Sequence, residues 1–579
     1  MTVAFQSLEL HDEQRHRWEA QARIVGQIPA RKFFNVLKSV HGETRRSLLR
    51  QRYRYRVDEF CRHFWPERFD LPFSDLHFDL FKRSDIGHWR DRRKEHRTTR
   101  DAVAAPRGYA KSTISSFAEI VHAVVYDLEA YVVMLSAGQR LAFGLSKDLR
   151  NVFKGPKKGD TASPLSLVYG PFDVEGEVQE WTVSVAGRPS VGFFAASFGG
   201  EVRGSKHPTR GIRPTRVVID DGEKRDRVRN PEQRIIWWDF LSKDVLKLGA
   251  REGGCAYFVR GTILHTDSML ARLMTDPGWS SVKYKAILSW PEDLELWERC
   301  GQIWKDLTLG DARQRAARAF YMANREAMDE GVEVLDPGAE GIFELYVQIW
   351  AEGLAAFLQE KQNDPVDPTA QIFSPEKFTR FRLEVDPVDG PVAVRLKADG
   401  SDGRRVRIAD MRRFARWDPA TGSPHGDYAA IAVIGRDKWG YGYVLDVWIK
   451  KAKPSLQLAA AWSLAERWGL GRMSLESNGF QDLVAEPFQR QKAERRAANQ
   501  FWKLVIDEEP SSDNKEGRIA TMEPDVSNGW LAFRVGLPVE VDQQLGEFPT
   551  SAHDDAPDVI HGAYRLSGGS PVSMGQTPI

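Results

Sequence analysis

The sequence predicts an α/β protein built as two sheet-bearing halves with a connector between them. Three observations predict it. From about residue 71 to 310, short β-branched apolar runs alternate with helical stretches, the pattern of parallel strands covered on both faces. From about residue 406 a hairpin, a helix and another strand follow one another. Between them, residues 311–405 mix helix with Gly/Pro/Asp-rich stretches such as "NDPVDPTAQ" and "KADGSDGRR", which reads as a linker or lid subdomain. Residues 1–70 form a charged helical extension punctuated by Phe33, Phe34, Phe64 and Trp65.

Bulk composition narrows the class. A length of 579 residues allows three or four domains, and 42% hydrophobic against 28% charged residues is an ordinary globular balance. A formal net charge of +1 gives no argument for a polyanionic partner, so local clusters must supply one. Cys61, Cys255 and Cys300 are far apart and form no C-x-x-C pair. That points away from a disulfide framework or zinc ribbon and toward a reducing compartment. No apolar run is long enough to span a bilayer and no signal-peptide core opens the chain, so a soluble intracellular protein is expected.

In the first half, "DAVAA" (101–105) reads as a strand and "STISSFAEIVHAVVYD" (112–127) as a helix. "YVVMLSA" (131–137) is a strand, "QRLAFGLSKDLRNVF" a helix, and "TRVVID" (215–220) and "AYFVRGT" (256–262) are further strands. The first strand–helix junction, "APRGYAKST" (105–113), ends like a phosphate-binding loop. Ala105 and Ala110 stand where G-x-x-x-x-G-K-[ST] has its glycines. Alanine is small enough to leave the cradle open but restricts φ. Loop N–H groups and a helix N-terminus can hold phosphates, Lys111 would neutralise the β and γ phosphates, and the Ser112 hydroxyl would reach Mg²⁺. Arg107, Gly108, Tyr109, Ala110 and Thr113 complete the candidate nucleotide contacts, with a surface arginine as the plain alternative for Arg107.

"RVVIDDGE" (216–223) is an apolar strand ending in carboxylates. Asp220 would act on the metal through its water shell, and either Asp221 or Glu223 would orient the attacking water. "GTILHTDS" (261–268) places Thr262 at a neighbouring strand end to sense the γ-phosphate, with His265–Asp267 after it to relay the phosphate's loss. A helix-capping basic turn or a solvated acidic strand end explains each motif singly. Three polar strand ends in one order predict a P-loop ATPase of ASCE type using ATP and Mg²⁺.

In the second half, "YAAIAVIG" (428–435) and "YGYVLDVWI" (441–449) form a hairpin. A helix starting near Ser455 after Pro454 and the strand "MSLES" (473–477) follow. Asp418 ends a first strand, Glu476 ends the strand after the crossover helix, and "HDDAPD" (553–558) opens a helix. That order predicts an RNase H-like mixed sheet. Carboxylates meeting at neighbouring strand ends repel and demand cations, and two Mg²⁺ or Mn²⁺ about 4 Å apart can hydrolyse a phosphodiester. Asp555 is the expected third ligand, assisted by Asp554 or Asp558, while at least one of the three serves as a helix cap. Asp427 and Asp446 read as turn and strand-end residues.

Together these motifs resemble the large terminase subunit of tailed bacteriophages, across roughly residues 71–567. "PRGYAKST" looks like that family's variant phosphate loop, and "GGEVRGSKHPTRGIRPTRVVIDD" (199–221) is similar to its Walker B region. "GTILHTDSMLARL" (261–273) resembles its coupling motif. "RWDPATG", "LESNGFQDLV" (475–484) and "FPTSAHDDAPDVI" (548–560) resemble its nuclease motifs. The departures are Ala110 and the "DDGE" string, where an Asp-Glu pair is commoner. The resemblance implies a packing ATPase (71–310), a linker (311–405) and a nuclease (406–579) that cuts concatemeric DNA. It implies double-stranded DNA, a portal protein and a small terminase subunit as partners, a homo-oligomeric ring, no membrane, and the host cytoplasm beside the prohead. It places adenine contacts upstream of the loop, where "PFSDLHFDLF" (72–81) with His77 is a weak counterpart. The basic runs 82–100 and 489–496 are candidate DNA contacts or solvated helix faces. Two other classes fit the same motifs: an ATP-regulated RNase H-like recombinase or transposase, and a non-catalytic scaffold with degenerate motifs.

Overall fold

The computed structural model describes residues 12–154, 162–185, 187–225, 227–228, 230–365, 372–421, 427–477, 481–510, 515–551 and 553–570. The chain forms two compact units. The first comprises Met1–Trp290, Val332–Ile342 and Leu358–Val366, and the second Pro291–Gly331, Phe343–Phe357 and Asp367–Ile579.

The first unit begins with helices Asp12–Gln27, Ala30–Lys38, Gly42–Tyr53 and Val57–Phe64. Its sheet contains β1 (Thr99–Ala104), β2 (Tyr131–Ser136), β3 (Phe172–Gly176), β4 (Glu180–Val185), β5 (Val191–Ser197), β6 (Arg216–Asp220), β7 (Ala256–Gly261) and β8 (Ser280–Lys283). The spatial order is β3-β4-β5-β2-β6-β7-β1-β8. From β5 to β8 every pairing is parallel, and β3 and β4 extend one edge antiparallel. β2, β6 and β7 are buried along their whole lengths, which is why they read as continuous apolar runs. Parallel register sets Ser136 beside Asp220, Asp220 beside Arg260, and Ala104 beside Gly261. The polar strand ends therefore lie along one edge, with β7 between the strand carrying the loop and the strand carrying the acids. A short antiparallel pair, β9 (Ile287–Ser289) and β10 (Glu333–Val334), completes the unit's strands.

The second unit holds a nine-stranded sheet of β11 (Arg380–Asp386), β12 (Gly390–Leu396), β13 (Asp402–Arg407), β14 (Arg412–Asp418), β15 (Ala429–Arg436), β16 (Gly442–Lys450), β17 (Arg472–Ser477), β18 (Val505–Pro510) and β19 (Leu531–Arg534). Their order is β13-β12-β11-β19-β16-β15-β14-β17-β18. β14, β15 and β16 are antiparallel, while β17 runs parallel to β14 and β18 to β17. Helix Pro454–Trp468 makes the crossover from β16 to β17 and stops at Gly469, whose φ of 59° is left-handed. Helix Asp555–Leu566 packs on β14, β15 and β16.

Residues 380–405, expected within the connector, instead supply β11, β12 and most of β13 of this sheet. The Gly/Pro/Asp richness belongs to their turns, where Asp386 Oδ1 accepts the Val388 N–H at 2.9 Å and Asp399 Oδ1 accepts the Ser401 N–H at 2.9 Å. Helices Leu294–Lys305 and Ala312–Ala323 also belong to this unit. Arg313 lies over the rings of Trp304 and Trp530, at 4.9 and 5.4 Å.

The parallel sheet rests on a buried ionic cluster. Glu129, just before β2, accepts from Arg92 Nη2 with both carboxylate oxygens, at 2.8 and 3.0 Å, and from Arg216 Nε at 3.3 Å. All three side chains are almost wholly excluded from solvent. Glu129→Ala would remove the buried carboxylate that Arg92 and Arg216 share and is expected to destabilise this unit by roughly 3–5 kcal/mol, measurable as a lower denaturant midpoint.

Candidate functional site

The phosphate-loop region is built where β1 hands over to its helix. Gly108 has φ 89° and Ala110 φ 50°, both left-handed. Ala110 thus adopts the conformation that the missing glycine would favour, at a cost of about 1 kcal/mol. Tyr109 is buried, and Lys111–Thr113 form the first helical turn. Lys111 Nζ donates to Thr262 Oγ1 at 3.2 Å and stands 3.9 Å from Asp221 Oδ1. Ser112 Oγ donates to Asp220 Oδ1 at 2.9 Å. Lys111, Ser112, Asp220, Asp221 and Thr262, read from three separate motifs, therefore meet. Burial, reinforced by the neighbouring Asp221 charge, pushes Asp220 up to about 6.

The two candidate bases differ in environment. The Asp221 side chain is 52% exposed and its backbone is left-handed, φ 44°. Glu223 is buried and caps helix Met269–Thr275, accepting Met269 N–H at 2.8 Å and Leu270 N–H at 3.4 Å. Burial raises it to about 7. Glu223 thus ties the β6 end to the helix that follows the Thr262 segment. Asp267 is held by Arg272 at 2.8 Å and Arg234 at 3.1 Å, and its N–H donates to His265 Nδ1 at 2.9 Å.

Sequence reading missed a clamp on this loop. Arg107, 73% exposed at its side chain, donates its N–H to Glu360 O at 2.9 Å. Lys361 Nζ donates to Arg107 O at 2.9 Å and to Glu340 at 2.7 Å, and lies over the Tyr109 ring. Asn363 Oδ1 accepts Ile263 N–H at 2.9 Å. No local motif marks these residues, because they lie about 250 positions downstream of the loop. His77, upstream, is buried and its Nδ1 accepts the Ser74 N–H at 2.9 Å in a helix-capping box.

In the second unit, Asp418, Glu476 and Asp558 each offer a carboxylate oxygen, and these oxygens lie within 4.8 Å of one another. The third member is Asp558, not the expected Asp555. Asp555 is buried one turn earlier, where its Oδ2 accepts Tyr428 N–H at 3.4 Å and stands 3.8 Å from His553 Nδ1. Asp554 is the N-cap residue but makes no side-chain cap; its carboxylate instead pairs with Lys515 at 2.7 Å.

Counter-ions are distributed unevenly around the trio. Lys515 stands 3.4 Å and Arg518 3.5 Å from Asp558, and Arg416 3.2 Å from Glu476. Burial opposes the charge on Lys515, yet Asp558 and Asp554 hold its pKa above the usual lysine range. Among the described residues Asp418 has no ion-pair partner. Burial and the Glu476 charge push it up to about 8. Asp446 lies elsewhere in the sheet, bonded to Trp468 Nε1, Arg467 and Arg534 at 3.0–3.1 Å.

Both basic runs have internal partners. In residues 82–100, Arg92 is buried on Glu129, Arg83 bridges Asp79 and Asp101, Arg93 faces Glu252 and Arg97 faces Glu95. In 489–496, Lys492 and Arg495 donate to Leu504 O and Phe501 O, and Arg496 lies over Trp502.

Asp418 sets a pH test. Its proton is retained in the folded state up to about pH 8 but only to about 3.8 when unfolded. The folded state therefore loses stability as pH rises across that window. With divalent cations chelated, Asp418→Asn is expected to raise the denaturant midpoint at pH 8, and the gain should vanish toward pH 4.

The terminase RNase H-like domain family matches residues 415–548. No curated protein matches the chain. Among solved structures, the large terminase of a thermophilic bacteriophage in complex with ADP is 10% identical, with 86% of this chain and 100% of that one covered at TM-score 0.42. The large terminase nuclease domain of a Thermus phage is 17% identical, covering 35% of this chain and 97% of its own at TM-score 0.23. The human cytomegalovirus terminase nuclease domain is 13% identical, covering 27% and 82% at TM-score 0.20. The family match rests on residues 415–548, the stretch that carries Asp418 and Glu476.

Proposed function

We propose that this chain is the motor and nuclease subunit of phage DNA packaging. It hydrolyses ATP in the first unit to drive double-stranded DNA into a prohead, and cuts concatemeric DNA in the second. The observation that carries the reading is the convergence of Asp418, Glu476 and Asp558, the first two within the stretch that matches the terminase RNase H-like domain family. Three close carboxylate oxygens, one without a counter-ion, suit a hard divalent cation such as Mg²⁺ or Mn²⁺. When bound, such ions supply an activated water and neutralise charge on the phosphodiester in a two-metal cleavage. Asp418 and Glu476 present their carboxylates from adjacent parallel strands, and Asp558 presents its own from the helix above them.

In the first unit, Lys111 is poised to take the β and γ phosphates, and Ser112 with Asp220 to hold Mg²⁺. Asp221 orients the attacking water, since it is open to solvent beside Lys111, whereas both carboxylate oxygens of Glu223 are engaged by a helix N-terminus. Partners in this reading are double-stranded DNA, a portal protein, a small terminase subunit and further copies of the chain in a ring, in the host cytoplasm.

Lys111→Ala should abolish ATP hydrolysis and leave Mn²⁺-dependent plasmid cutting intact; Asp418→Ala should do the reverse. Loss of both activities in either folded variant would overturn the two-site division. Asp221→Asn should lower ATP turnover about 100-fold or more, while Glu223→Gln, which keeps a carbonyl acceptor for the Met269 N–H, should retain most of it.

A further inference from the structure

Arg416 is the buried cation that the proposed chemistry leaves unused. It precedes Asp418 by two residues on β14, so both side chains leave the same face of the sheet. It is 4% exposed. One guanidinium nitrogen donates to Ser474 Oγ at 2.9 Å and Glu509 Oε2 at 2.8 Å, and the other stands 3.2 Å from Glu476 Oε2. Glu476 and Glu509 are register partners on β17 and β18. One arginine thus grips two carboxylates across three strands. Arg565 meets Glu509 from outside at 2.7 Å.

The side chain reaches them by running under helix Asp555–Leu566 at Gly562. A Cβ at that position would lie 3.0 Å from Arg416 Cγ and 3.2 Å from its Cδ and Nε. Glycine is a poor helix former, and the passage of Arg416 supplies a packing reason for it mid-helix.

We propose that Arg416 is a positioning residue that fixes the orientation of Glu476 for a divalent cation, with Gly562 keeping its path open. This rests on reading Asp418, Glu476 and Asp558 as a metal site. Two roles for Arg416 predict opposite signs. A guanidinium that only cancels carboxylate charge opposes cation binding, so removing it tightens binding. One that orients a ligand supports binding, and loss of such outer partners typically costs about 10–100-fold in metal affinity.

The test is Mn²⁺ titration of the full chain without nucleotide, followed by the electron paramagnetic resonance of free Mn²⁺. The part lost in Asp418→Asn defines site-specific binding. Arg416→Met is expected to weaken that binding about 10-fold or more, and Arg416→Lys to restore part of it. Gly562→Ala removes no charge and favours helix, yet is expected to weaken Mn²⁺ binding in the same direction. Wild-type or tighter affinity in Arg416→Met overturns the proposal. Should that variant not fold, wild-type affinity in Gly562→Ala overturns it. Mn²⁺ binding by the wild type that Asp418→Asn does not reduce would instead fell the metal-site reading itself.

Discussion

Parallel strand register is the constraint on which both candidate sites depend. In a parallel pair the strands begin and end together, so residues far apart in sequence arrive at one edge. In the first unit that edge collects Ser136, Asp220, Arg260 and Gly261 beside the end of β1. In the second it sets Asp418 on β14 next to the β17 strand that carries Glu476. The buried apolar faces hold the register, since a one-residue slip would turn each strand's core side chains outward. The sheets are therefore scaffold and positioning device at once.

Concentrating acids at such an edge has an electrostatic cost, and each site offsets it differently. In the nucleotide region the cation is Lys111, shared between Thr262 and Asp221, while Ser112 bonds Asp220. In the carboxylate trio, Arg416 attends Glu476 from below, and Lys515 with Arg518 attend Asp558 from the side. For Asp418, burial and the Glu476 charge favour the protonated form.

The variant phosphate loop shows how tertiary contacts can carry an unfavourable local choice. Ala110 in a left-handed conformation is strained relative to glycine. Around it the loop is anchored by the Ala105 N–H to Gly261 O and the Arg107 N–H to Glu360 O, and by Lys361 across the Arg107 carbonyl. Those bonds hold the backbone in place without the permissive residue that the pattern ordinarily uses there.

Local periodicity was enough to mark β1, β2, β6, β7, β14, β15, β16 and β17, the helix Gln139–Phe153, the crossover helix and the polar strand ends, because each depends on residues within one element. Asp418, Glu476, Lys111, Ser112, Asp220 and Thr262 could be named as site candidates for the same reason. The third acid could be narrowed only to Asp554, Asp555 or Asp558. Asp554, Asp555 and Asp558 open one helix, and successive residues point about 100° apart. Which one faces the strand ends depends on the helix's rotation on the sheet. Ala556, Val559, Ile560 and Ala563 set that rotation by entering the core, which turns Asp558 toward Asp418 and Glu476. Asp221 and Glu223 likewise differ in what each carboxylate meets, a lysine at the open edge or a helix N-terminus. Arg416, Lys515 and Lys361 carry no signature of their own, since a counter-ion is defined by its partner, and only folding across long sequence separations supplies one.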